Sequence, residues 1–163
     1  MPMSALRAVA LGGLISLGSP LSAHEPVAAP IARSALSPAA RGAAAMVDAF
    51  HAALRRGDTR SAAASLAGSA LIFEDGGVER SKAEYASQHL AADAAYTQAV
   101  PAVLTRRAGD AIGPIAWIAS EGRTTGSYSG KPVDRITAET MILKRSGRDW
   151  KIVHIHWSSA AKP

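Results

Sequence analysis

The sequence predicts an α+β domain, with helices gathered in its first half and a meandering antiparallel sheet in its second. Apolar residues recur at helical spacing only before Gln98. Beyond it, four long runs suited to strands are separated by short glycine-bearing turns. Strands and helices do not alternate, which argues against a parallel doubly wound sheet. With 163 residues, the chain is long enough for one domain with a proper core and too short for two.

Taken in order, residues 1–23 have the layout of a secretory signal peptide. Arg7 precedes an apolar run from Ala8 to Leu17, which Gly18, Ser19 and Pro20 break ahead of the small residues Ser22 and Ala23. That run is about half of what a membrane-spanning helix needs, so an exported, periplasmic or secreted protein is expected, with no membrane attachment after cleavage. Residues 24–37 are alanine- and proline-rich and are expected to form a flexible leader. The domain is expected over 38–159, with a tail at 160–163.

Within the domain, Ala43, Met46, Val47, Phe50 and Leu54 mark the first helix, which Gly57 stops. His51 flanks that stripe and reads as a packed or surface residue. Asp58 caps a second helix from Thr59 to about Leu66. A short strand, Ala70 to Glu74, ends in the turn Asp75-Gly76-Gly77. Ser81-Lys82-Ala83-Glu84 has the form of a capping box and opens a third helix carrying Tyr85, His89, Leu90 and Tyr96. The remaining strands are expected over Val100–Ala108, Ile115–Ser127, Pro132–Arg145 and Trp150–Ser158.

The formal charge of +5 comes mostly from scattered arginines. No basic run or aromatic-interleaved patch accompanies it, so no nucleic-acid partner is expected. The absence of cysteine excludes disulfides, thiol nucleophiles and cysteine metal sites.

The closing stretch WKIVHIHWSS is apolar on both faces and places two histidines on one of them. Strict alternation groups Trp150, Ile152, His154 and His156 on one face and Lys151, Val153, Ile155 and Trp157 on the other. A turn over Ser146 to Asp149 sets Arg145 opposite Trp150, Met141 opposite His154 and Glu139 opposite His156. Folding at Ser129 to Lys131 sets Glu121 opposite Glu139, Ala119 opposite Met141 and Trp117 opposite Leu143. Trp117, Glu121, Glu139, His154 and His156 then share a face, although a slip of one residue would invert every assignment.

The Phe50-His51 and Gly57-Asp58 elements, and above all AETMILKRSGRDWKIVHIHWSS, resemble the SnoaL-like branch of the nuclear transport factor 2-like superfamily. The pattern Trp150, His154, His156 and Ser158 is also similar to the association domain of calcium/calmodulin-dependent kinases. The resemblance implies a cone, a curved sheet wrapped round three helices with a pocket at its open end, and homodimerisation through the outer sheet face. The kinase domain's pocket arginines correspond to Ala119 and Met141 here, a departure that speaks against recognition of an acidic segment. The superfamily hosts isomerases, cyclases, dehydratases and noncatalytic hubs, so fold alone does not choose among them.

The residues expected to carry chemistry are Glu139, His154, His156 and Glu121, as a cluster sharing a proton near neutral pH. Trp117 and Phe73 would wall an apolar ligand pocket, with Met141 and Arg123 on the same face and Tyr85 and His89 at its mouth. A small organic ligand, with or without turnover, is one reading; an association module with a vestigial pocket is the other. His154, His156 and Glu139 also have metal-ligand spacing, but no further cluster supports a metal, and neither metal nor cofactor is expected.

Overall fold

The computed structural model describes residues 35–162. The expected signal peptide, and the leader as far as residue 34, lie outside the described residues. Leu36 already bridges Gly109, and Ser37 N–H donates to Gly109 O at 2.9 Å. The domain's contacts thus begin slightly before Pro38.

A 3₁₀ turn, Pro38–Ala40, leads into α1, Arg41–Arg55, followed by α2, Thr59–Ser65. The two meet where Gly57 takes φ +70°, a conformation that costs glycine little. Asp58 caps α2 by accepting from Ser61 N–H at 3.0 Å. Helix α1 buries Ala43, Ala44, Val47, Phe50, Ala53 and Leu54 along one stripe. Each of the larger side chains contributes about 1.5–3 kcal/mol by leaving water.

The expected third helix is two: α3, Lys82–Gln88, and α4, Leu90–Ala99, with the break at His89. Ser81 Oγ accepts from Glu84 N–H, as a capping box requires, while Glu84 Oε2 reaches back to Arg80 N–H.

The sheet has six strands in the order β2-β1-β6-β5-β4-β3. They span Leu66–Glu74, Gly77–Glu79, Ala102–Ile112, Ile115–Tyr128, Lys131–Ser146 and Asp149–Ala161 for β1 to β6. Strands β3 to β6 form the expected antiparallel meander. The sheet as a whole is mixed, because β1 lies parallel to β6. It is curved and unclosed, with the helices on its concave side.

Two local features overturn the expected registers. The β4–β5 loop is the two-residue Ser129-Gly130, both at positive φ, not a three-residue turn. This geometry matches the twist of the flanking strands. It slips the pairing by one, so that Glu139 faces Ser120, Met141 faces Ile118, and Glu121 faces Ala138. In β6, Arg145 does pair with Trp150, but Leu143 pairs with Ile152 and Ile142 with His154, leaving Val153 as an extra residue. Such a bulge reverses the alternation beyond it. Met141 therefore faces Ile155, and Glu139 faces Trp157.

The result is one continuous core built from Trp150, Ile152 and Ile155 on β6, with Met141, Leu143, Ile118 and Phe50. His154 and His156 turn to the convex face. Ile155→Ala should then cost about 2–5 kcal/mol in urea denaturation, whereas His156→Ala should cost less than about 1 kcal/mol. The opposite ranking would restore the unbulged register.

Candidate functional site

The paired registers place Glu74, Trp157, Glu139, Ser120 and Arg107 side by side across β1, β6, β5, β4 and β3. Directly paired residues project from the same face, here the concave one. Arg107 joins this row because β3 carries its own irregularity between Leu104 and Arg106. The row forms one wall of a cavity of about 770 Å³, whose other side is lined by His51, Leu54, Asp93, Tyr96 and Val100.

At its centre, His51 Nε2–H donates to Glu139 Oε2 at 2.7 Å, and Trp157 Nε1–H donates to the same oxygen at 2.8 Å. The Glu139 side chain is 9% exposed, and its Oε1 has no hydrogen-bond partner among the described residues. Burial pushes the Glu139 carboxyl up, but the hydrogen bond and charge of His51, the Trp157 N–H and the Arg107 charge more than offset it. The group is held below the usual carboxylate range. Arg107 also donates to Asp48 Oδ1 at 2.6 Å and to Ser120 Oγ at 3.2 Å, which ties α1 to the row. Phe50 stacks on Trp157 with ring centres 6.2 Å apart and fixes the indole.

A second cluster lies beyond Trp157. The buried Tyr85 donates its hydroxyl to Asp93 Oδ2 at 2.6 Å. Burial first, and then the Asp93 charge, pushes the Tyr85 phenol upward. Asp93 is itself raised, because burial outweighs the Tyr85 hydrogen bond. Glu74, exposed at the cavity rim, is pushed up to about 7 by partial desolvation and then by the charges of Asp93, Asp75 and Glu79. Next to this cluster, His89 pairs with the buried Glu79. That hydrogen bond, opposed by desolvation and aided by Glu79's charge, raises the imidazole.

Of the cluster expected from the sequence, only Glu139 lines the wall at its centre. Glu121 projects outward and pairs with Arg106 at 3.7 Å. Trp117 is exposed on the convex face. There too, His154 Nδ1–H donates to Leu71 O at 2.9 Å, and both histidines meet Phe73 edge-on. Arg123, also convex, forms a two-pronged pair with Asp134 at 2.6 and 2.7 Å. Met141 is core. Tyr85 is core as well, with only its hydroxyl engaged in the acidic cluster, and His89 caps the break between α3 and α4. The histidine pair and Glu139 fall on opposite faces, so they do not converge as metal ligands. Among the described residues, no group of three His, Asp or Glu is arranged to hold a metal ion.

Sequence reasoning passed over His51, Trp157, Glu74, Asp93 and Arg107. A signal was present for His51, a polar residue set against the apolar stripe of α1 beside Phe50. Trp157 belonged to the second apolar face of the last strand, which the bulge explains.

The raised Glu74 carboxyl gives a pH signature. A folded-state value above the unfolded one means the folded protein keeps its proton as the unfolded chain releases it. This contribution is full below about 4.5 and is lost as pH rises through about 7. Glu74→Gln should flatten the fall in stability over that window. The effect should be about 1 kcal/mol or less, since water screens this exposed group. Denaturation midpoints from pH 4 to 8 that fall equally in both proteins would contradict the assignment.

The SnoaL-like domain family matches residues 43–162. A solved structure from Shewanella frigidimarina, provisionally assigned as a ketosteroid isomerase, is 39% identical. It covers 72% of this chain and 94% of its own, with a TM-score of 0.69. A provisionally assigned dehydratase of the NTF2-like family from Streptomyces avermitilis is 20% identical over 74% of this chain and 95% of its own, at a TM-score of 0.64. A provisionally assigned calcium/calmodulin-dependent kinase II association domain from Xanthomonas campestris is 22% identical over 80% and 94%, at 0.63. The last two show the fold alone. No curated protein matches. With three quarters of its length matched by the family and a relative at 39% identity, this chain belongs to the SnoaL-like domain family.

Proposed function

We propose that the chain is an exported acid–base catalyst that holds a small organic ligand in the concave cavity and moves a proton on a carbon next to a carbonyl. The observation that carries this reading is the pair of carboxylates on one row whose surroundings push them apart, Glu139 down and Glu74 up to about 7. At one pH such a pair offers an ionised carboxylate to orient His51 as the base and a protonated carboxyl to serve as the acid.

The roles follow from the geometry. Glu139 accepts from His51 Nε2–H, which orients the ring and leaves Nδ1 with its lone pair as the base. Glu74 and Glu139 lie one on each side of Trp157, about 10 Å apart at their backbones. A carbonyl compound lying over the indole places its α-carbon toward His51 and its oxygen toward Glu74. His51 takes the α-proton, and the carboxyl of Glu74 donates to the oxygen as the enol forms. Reversal at another carbon gives isomerisation, and loss of a β-hydroxyl gives dehydration. The ketosteroid isomerase assignment of the Shewanella relative is in keeping with this class of chemistry.

The test is proton–deuterium exchange, followed by NMR, on a panel of enolisable ketones and 1,3-dicarbonyl compounds. Exchange by the intact chain should fall about 10²–10⁴-fold in kcat/KM in His51→Gln. Absence of exchange across the panel would sink the catalytic reading.

A second reading, association between copies, is favoured by a specific observation. The convex face and its edge expose Val103, Ile112, Ile115, Trp117 and Ile136, a concentration of apolar side chains suited to a subunit interface. Neighbours described as a hub and as association domains share the fold. A homodimer through the outer sheet face should dissociate at least about tenfold more readily in Trp117→Lys by sedimentation velocity. A wild-type chain that stays monomeric at high concentration would defeat this reading.

A further inference from the structure

On the concave face of β5, four residues before Glu139, stands Arg135, also a cavity-lining residue. Strand geometry separates the two Cα atoms by about 13 Å. Arg135 donates from Nε to Ser159 Oγ at 2.8 Å and from a terminal nitrogen to Ser159 O at 3.0 Å, two neutral oxygens that leave its other N–H groups over. Arg107 and Arg123 each face a carboxylate; no carboxylate stands within ion-pair distance of Arg135 among the described residues. Directly opposite on β4, Thr124 is 8% exposed and its Oγ1 has no hydrogen-bond partner among the described residues. A buried hydroxyl left without a partner is costly unless something binds beside it. Lys131, earlier on the same face of β5, is a further cation of the lining. Thr137 stands between Arg135 and Glu139 on this face of β5, and the cavity lining also includes the apolar Leu54, Val100 and Ala102.

We propose that Arg135, Thr124 and Lys131 form an anion subsite that holds the carboxylate of an aliphatic or alicyclic acid, with the apolar body of the ligand running from there toward His51 and Glu139. The inference rests on the cavity being a ligand site and adds the class of ligand. A carboxylate suits the subsite because the planar guanidinium offers parallel N–H groups that match its two oxygens. The unused hydroxyl of Thr124 can turn to donate to the same anion. A ligand of this kind spans both ends of the cavity, and the anchored end fixes which carbon meets the base.

The experiment is calorimetric titration of the full chain with sodium octanoate and with octan-1-ol, probes of equal length that differ in charge. Octanoate should bind about 10–100-fold more tightly than the alcohol, as charge-assisted hydrogen bonds imply, and the gap should narrow with added salt. Arg135→Gln should erase the gap by weakening octanoate alone, and Arg135→Lys, which keeps the charge without the fork, should fall between. Circular dichroism melts confirm that each variant is folded. Equal binding of both probes to the wild type would overturn the anion subsite while leaving the cavity reading intact. Binding of neither probe would overturn both, and a preference surviving in Arg135→Gln would overturn the assignment to this residue.

Discussion

The site depends on one extra residue in the last strand. Without Val153 as a bulge, β6 would present His154 and His156 to the cavity and send Ile155 and Trp157 to the convex side. The core decides against that arrangement. Ile155 is fully buried against Met141 and Ile72, and exchanging it for an imidazole would exchange apolar burial for an unmet polar demand. The bulge lets the strand bury Trp150 and Ile152 before it and Ile155 and Trp157 after it. The indole N–H that holds Glu139 arrives as a consequence of packing.

Glu139 in turn shows how a nearly buried carboxylate stays ionised. Desolvation alone would raise it, as it raises Asp93 across the cavity. The difference lies in the partners. Glu139 has an imidazole, an indole N–H and a nearby guanidinium, whereas the Tyr85 phenol and the His89 charge do not offset the burial of Asp93. Two carboxyls of similar intrinsic acidity are thereby set on opposite sides of their ordinary range within one cavity. The Oε1 of Glu139, without a partner among the described residues, is an uncompensated cost of the kind that functional sites carry and structural ion pairs avoid.

Much of the architecture was legible because it rests on period and punctuation. The stripe of α1, the Asp58 cap, the Ser81 capping box and the four long strands all follow from local rules, and the SnoaL-like resemblance identified the curved sheet. The site was far less legible, for two reasons of geometry. Strand alternation transmits any register error to every side chain beyond it, and two such errors occur, at the Ser129-Gly130 loop and at Val153. Neither has a strong sequence signal, although a last strand apolar on both faces was the trace the bulge left. His51 was undervalued because a histidine beside a helix stripe usually only packs there. Its role became visible once Glu139 stood across from it.

The remaining residue of the row, Glu74, could not be placed by local reasoning at all. It enters through the parallel pairing of the first strand with the last, whose partners lie some eighty residues apart in the chain. Nothing in either segment specifies the other. What specifies the pairing is that β1 must bury Ala70 and Ile72, and the free edge of the meander at β6 offers the apolar face that accepts them. Once that burial is satisfied, alternation carries Glu74 onto the concave wall beside Trp157. The acid end of the cavity is therefore assembled only when the whole sheet is complete, and the loop-closure entropy of that long-range contact is met by core packing. An arrangement of this kind couples the site to global stability more tightly than a loop-borne site would be. Substitutions in the β1 core should accordingly disturb Glu74 before they disturb the His51–Glu139 pair, which is held by α1 and the neighbouring strands β5 and β6.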